Sequence, residues 1–252
     1  MTMFSKTVTP PTLNLSFSDE KQPTYAKILL KGYPKGGKTT SALEIASLMS
    51  GDQKFPVIVT EKNGFDMYRH RFPLARPIYL DEESTGYNGS TYVQAIQLAM
   101  IINPIVMVVD SISPAWSGKQ GVLDQAAATG KSDFYVWKGP KEHNKRLIEE
   151  MLRVPCHVIA TVRSKTKLIV NADTKEVTKK AGAPIQWGEI EFEFDVNADL
   201  SKGGNIVITG SRLETLKAGD AFPKTDDLVR GFHKNNIELF NKIGEGLTII
   251  NG

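Results

Sequence analysis

The octapeptide Gly32-Tyr33-Pro34-Lys35-Gly36-Gly37-Lys38-Thr39 holds the residue types best placed to do chemistry in this chain. It fits G-x-x-x-x-G-K-[ST], a glycine-rich loop whose backbone amides cradle phosphates. Gly32, Gly36 and Gly37 can adopt the dihedrals that turn successive N–H groups inward, and they leave no side chain in the way. A helix following the loop adds the partial positive charge of its N-terminus. Lys38 is expected to reach the β- and γ-phosphates, and Thr39 to place its hydroxyl on Mg²⁺. Thr40 closes the phosphate-binding stretch, and Lys35 adds charge inside the loop. The plain alternative is an ordinary glycine turn before a helix.

Other polar residues end apolar runs. Asp110 follows Ile105-Val106-Met107-Val108-Val109, about seventy residues after the loop. A carboxylate there can order Mg²⁺ directly or through water, the Walker B arrangement. Glu61 ends the run Pro56–Thr60, and a carboxylate beside a γ-phosphate can orient or deprotonate an attacking water. Thr161 and Arg163 end the next run, where a polar group can sense the γ-phosphate. Arg163 read plainly is a surface cation, and Glu61 a solvated acid at a strand end.

These groups need elements to position them. Ala26–Lys31 reads as a strand, and Thr40–Ser50 as a helix with Ala42, Ile45, Ala46 and Met49 on one face. Thr91–Ile102 and Lys141–Arg153 have helical spacing, and Pro56–Thr60, Pro104–Val109 and Cys156–Val162 read as short buried strands. Strands alternating with helices imply a mostly parallel sheet covered on both sides. Residues 112–137, rich in Gly, Ser and Ala, read as a mobile insertion. Ile190, Phe192, Phe194 and Val196 alternate with polar residues, the period of a half-buried strand. Asn205–Thr209 reads as its antiparallel neighbour through Gly203-Gly204, and Gly231–Ile243 as a closing helix. The expected organisation is an extended arm at 1–23, a core at 24–232 with a lysine-rich hairpin at 165–186, and a C-terminal helix and tail at 233–252.

Composition sets outer bounds. The chain has 252 residues, 40% of them hydrophobic, enough for one sizeable α/β core. Its single cysteine, Cys156, allows no internal disulfide, which suits a cytoplasmic setting. No stretch approaches the ~20 apolar residues of a membrane span. A formal charge of +3 permits nucleic-acid contact without requiring it.

Together these residues resemble the RecA-like P-loop ATPases, and most closely the short phage-encoded AAA-type ATPases that act as single-strand annealing proteins or minimal recombinases. The carriers are Gly32–Thr40, Val57–Glu61, Ile105–Ser111 and His157–Arg163, then Lys165-Thr166-Lys167, Ala183-Pro184-Ile185-Gln186 and Ile190–Val196. The likeness spans roughly residues 25 to 230. It implies ATP and Mg²⁺ as cofactors, Lys38 and Glu61 as catalytic groups, self-assembly into a ring or filament, and single-stranded DNA as partner. It implies that Arg212 touches a neighbour's phosphate as an arginine finger; the plain reading is a surface arginine. It also implies DNA contact by a mobile loop after the sensor strand, where Lys165, Lys167, Lys175, Lys179 and Lys180 lie. The bland alternative there is a solvated lysine-rich hairpin. The chain departs from RecA in closing its sensor strand with Thr161-Val162-Arg163-Ser164, and in lacking a large DNA-binding appendage. Annealing or loading therefore fits better than strand exchange. A nucleotide-stabilised interaction protein without turnover is the rival from another class. A small-molecule kinase lacks its arginine-rich lid, and a GTPase lacks N-K-x-D.

Overall fold

A computed structural model of the chain describes residues 25–130, 133–170, 177–200, 205–213 and 216–222. The arm at 1–23, Lys175, the Gly203-Gly204 link and the helix at Gly231–Ile243 lie outside the described residues. Strand β1 (Lys27–Gly32) leads through the glycine loop into helix α1 (Lys38–Ser50). Then come β2 (Phe55–Val59), α2 (Lys62–Asp66), β3 (Ala75–Tyr79), α3 (Gly89–Met100) and β4 (Val106–Asp110). Short helices α4 (Ser113–Ser117) and α5 (Val122–Ala128) precede the long α6 (Lys138–Arg153). The chain continues as β5 (His157–Val170), β6 (Val177–Pro184), α7 (Ile190–Glu193), β7 (Val196–Leu200), β8 (Ile206–Ser211) and β9 (Ala221–Phe222).

The strands form one sheet in the order β3-β2-β4-β5-β1-β7-β8-β9, with β6 paired to the outer half of β5. Every pairing from β3 across to β7 is parallel, and the β5–β6, β7–β8 and β8–β9 pairs are antiparallel. This is the expected α/β architecture: a mostly parallel sheet flanked by helices, with antiparallel strands toward the C-terminus. The central strands are buried on both faces. Ile28 and Leu30 meet α1 through Ala42, Leu43, Ile45, Ala46 and Met49, while Leu29, Met107 and Val109 meet α3 and α6 on the other side. Because the core strands run the same way, their C-terminal ends share one edge, and polar residues that end them are brought together.

Two local details go beyond or against expectation. The described residues of the expected insertion at 112–137 contain α4, α5 and a 3₁₀ turn at Phe134–Trp137, with Ala115, Val122 and Ala126 buried. Residues 190–193 form one helical turn instead of a strand, and β7 begins only at Val196. Ile190 and Phe194 satisfy both a period of two and helical i,i+4 spacing. Phe192 discriminates: it is 76% exposed.

The opposite end of the sheet is tied by a buried polar group. Lys27 Nζ donates to the carbonyls of Val154 (2.9 Å) and Cys156 (2.7 Å), and burial pushes the ammonium down to about 8. Ala26 N–H donates to His157 Nδ1 at 3.0 Å, a bond that needs that nitrogen unprotonated. Burial, aided by the Lys27 charge, pushes the imidazole down to about 4. An unfolded histidine takes its proton near 6.5, so the unfolded chain binds more protons below that pH. Stability is therefore expected to fall as pH drops from about 6.5 toward 4, by on the order of 3 kcal/mol from this residue. His157→Gln, which keeps an acceptor without titrating, should flatten that part of the profile in urea unfolding at pH 7 and pH 4.5. Parallel profiles for the two proteins would contradict this origin.

Candidate nucleotide-binding site

The loop between β1 and α1 has the backbone its glycines allow. Gly37 has φ +87° and Lys35 φ +61°, both left-handed. Gly36 N–H donates to Tyr33 O at 3.1 Å, and a Cβ on Gly36 would stand 3.1 Å from that same oxygen. Gly32 is similarly confined: an added Cβ would meet Leu200 of β7 at 3.3 Å. Lys38 is buried, and its Nζ donates to Tyr33 O at 2.7 Å, so the ammonium is folded back over the loop. Burial lowers its pKa, while the charges of Asp110 and Glu61 pull the other way.

Asp110 joins three elements. Its Oδ2 accepts from Thr39 Oγ1 at 2.6 Å, and its Oδ1 accepts from Thr161 Oγ1 at 2.5 Å. The carboxyl at the end of β4 thus bridges the start of α1 and the middle of β5. Burial pushes Asp110 above the usual carboxylate range, and the bonds from Thr161 and Thr39 oppose that rise. Thr39 and Asp110 are the residues that fit a divalent cation. Among the described residues no group of three or more His, Cys, Asp and Glu converges into a complete metal cage. A hydroxyl and one carboxylate suit Mg²⁺, which takes its remaining ligands from phosphates and water.

Glu61 follows β2 and stands at the N-cap of α2. Its Oε1 is ion-paired with Arg163 Nη2 on β5. Glu61 is 60% exposed at its side chain and Arg163 38%, so the pair is open to solvent and to an incoming anion. The structure therefore gathers Lys38, Thr39, Asp110, Thr161, Arg163 and Glu61 at one edge of the sheet.

Arg212 does not join them. It follows β8, and Ser211 pairs with Val196, which pairs with Ile28 near the start of β1. It is thus at the far end of the sheet from the loop, where its guanidinium bonds Asp195 Oδ1 (3.2 Å) and Phe192 O (2.6 Å). A phosphate contact by Arg212 would have to be made to a second copy. Of the hairpin lysines, Lys165 is exposed, and the backbone register sets Lys167 opposite Lys180 and Leu168 opposite Lys179.

Several participants carry no motif. Ser113 Oγ accepts from Arg163 N–H at 2.8 Å, and the buried Gln186 donates from Nε2 to Ile112 O at 2.9 Å. Lys31, directly before Gly32, is held by Glu191 (2.6 Å) and Asp199 (3.3 Å). Burial opposes the Lys31 charge, but these two carboxylates hold its pKa above the ordinary value. In the sequence the only sign of this group is a lysine inside an apolar strand, which demands a buried counter-charge.

No protein-family model matches the chain, and no curated protein sequence matches it. Among solved structures it is similar to an ATPase from the type III secretion system of pathogenic bacteria, with 14% identity and a TM-score of 0.43 over 70% of this chain. The chain spans about half of that protein, 51% of its length. It is also similar to the flagellar accessory protein FlaH from Methanocaldococcus jannaschii, with 12% identity and a TM-score of 0.43 over 79% of this chain and 85% of that one.

Thr161 gives a test of the geometry at Asp110. Thr161→Val removes a bond that favours the carboxylate, so Asp110 is expected to ionise at higher pH. The acid limb of divalent-metal-dependent nucleotide binding should move upward with it. An acid limb that stays in place would mean the hydroxyl does not tune this carboxyl.

Proposed function

We propose that the chain binds and hydrolyses ATP at the Gly32–Thr40 loop, and that it uses this cycle to bind or anneal single-stranded DNA in phage recombination or repair. The observation that carries the first half is the convergence of Lys38, Thr39, Asp110 and Glu61 around one glycine loop. In this reading the amides around Gly36 and the Lys38 ammonium hold the triphosphate, and Lys38 exchanges the Tyr33 carbonyl for phosphate oxygen. Mg²⁺ held by Thr39 and Asp110 would neutralise charge on the phosphate oxygens. Glu61 orients the attacking water and accepts its proton. The choice of ATP over GTP rests on the resemblance alone.

Arg163 links hydrolysis to the hairpin. A γ-phosphate competes with Glu61 for the guanidinium, so triphosphate binding frees the carboxylate to work on water. Arg163 lies two residues before Lys165 on the same continuous strand β5, which pairs with β6 to form the lysine hairpin. Lysines there meet phosphates without reading sequence. The rival reading, a nucleotide-stabilised interaction protein, draws on the same ion pair: if Arg163 never releases Glu61, nucleotide binds and is not turned over.

The experiment is ATP binding and turnover, with and without single-stranded DNA, read beside oligomer mass. Lys38→Ala is expected to abolish nucleotide binding, and Glu61→Gln to keep binding while reducing turnover by about a hundredfold or more. Turnover equal to wild type in Glu61→Gln would remove its role as base; binding without turnover in wild type would favour the rival.

The hairpin makes a separate prediction. Neutralising Lys165, Lys167, Lys179 and Lys180 together should flatten the dependence of DNA affinity on salt, by up to about 0.7 in log–log slope for each DNA phosphate that no longer meets an ammonium. An unchanged slope would mean that the strand's phosphates are held elsewhere.

A further inference from the structure

The face of α6 that bears Lys138, Lys141 and Lys145 is lined with aromatic rings that the nucleotide site does not use. All three tryptophans of the chain lie along it, each half-buried. Trp116 and Trp187 wall a cavity of about 210 Å³ with Lys141, Asn144 and Lys145. Tyr135 and Trp137 wall a second cavity, of about 310 Å³, with Lys138, Lys141, Glu142 and Lys145. Lys141 and Lys145 border both, so the two form one surface. Lys141 Nζ lies 5.9 Å from the centroid of the Trp137 ring, a cation near a π face. Tyr135 is 77% exposed. Asn144, at the floor of the smaller cavity, is 3% exposed, yet its Oδ1 has no hydrogen-bond partner. A buried amide oxygen left without a donor is costly.

We propose that this face binds single-stranded nucleic acid by stacking unpaired bases on Trp116, Trp137 and Trp187, with Lys138, Lys141 and Lys145 meeting the phosphates. Flat rings interleaved with cations match a strand whose bases and phosphates alternate. A duplex keeps its base faces stacked inside and would engage only the lysines. The inference shares its ligand class with the function proposed above, but its residues are separate from the lysine hairpin.

The face is also wired to the nucleotide edge. Gln186 Oε1 accepts from the backbone N–H of Trp187 at 2.9 Å, while its Nε2 donates to Ile112 O, two residues beyond Asp110. Trp116 sits on α4, whose first residue, Ser113, accepts from the Arg163 backbone. A strand lying on the tryptophans and a triphosphate at the loop therefore pull on the same short segment, Asp110–Trp116.

The test is tryptophan fluorescence of the full chain titrated with oligothymidylate, an abasic oligonucleotide of equal length and charge, and a duplex. Saturable quenching by oligothymidylate is expected, with the abasic strand and the duplex at least about tenfold weaker. Trp116→Ala and Trp187→Ala should each weaken binding between about fivefold and about a hundredfold. Trp187→Phe, which keeps a stacking ring, should retain most of the affinity, and an unchanged thermal midpoint guards against misfolding. The hairpin variant with four lysines neutralised should keep its preference for the strand that carries bases. Equal affinity for abasic and normal strands would overturn stacking. Full affinity in the Trp→Ala variants, with loss in the hairpin variant, would overturn this site and leave the proposed function standing. No oligonucleotide binding by the wild type would sink both.

Discussion

The bridge made by Asp110 is the interaction on which the rest of the site depends. A carboxylate at the end of a buried strand is costly unless its oxygens are satisfied. Thr39 and Thr161 supply one hydroxyl each, and they come from elements on different sides of it. This pairing fixes the start of α1 against β4 and β5, and so fixes where Lys38 and the loop amides stand. Because β5 lies between β1 and β4 in the sheet, Thr161 can face the same carboxylate that the loop helix approaches.

The same strand carries the edge outward. β5 is 14 residues long, far longer than β1, β2 or β4, and only its first half lies in the parallel core. Its second half leaves the core and pairs with β6. Arg163 thus stands where the strand passes from the parallel core to the hairpin, and the β5–β6 register shifts between Ser164 and Thr166. The Arg163 amide is anchored on Ser113 and its guanidinium on Glu61, so the strand end is held by two partners, and only the solvent-exposed one is open to competition from an anion. The tryptophan face leans on that anchored segment through Gln186, which places it within a few hydrogen bonds of the Asp110 edge.

Much of the architecture is legible in the sequence. Ala42, Ile45, Ala46 and Met49 recur with helical spacing and are all buried in α1; Tyr92, Ala95, Ile96 and Ala99 do the same in α3. The central strands read clearly because burial on both faces leaves a continuous apolar run. Pattern misleads where a short run fits two periods, as at Ile190–Val196, and it is silent where small residues build helices too short to show an amphipathic repeat, as in α4 and α5.

The sequence by itself determined the loop, since Gly37 at positive φ and Gly36 against the Tyr33 carbonyl give a turn that side chains would disturb, and it determined which strand ends carry acids. Tertiary structure alone decided which of those polar ends meet. It joined Glu61 to Arg163, sent Arg212 to the far end of the sheet, and set Trp116, Trp137 and Trp187 along one helix. The physical reason is that local pattern records which face of an element is apolar, whereas strand order and direction are chosen by the packing of the whole core. Residues 102 positions apart, like Glu61 and Arg163, become neighbours only through that choice.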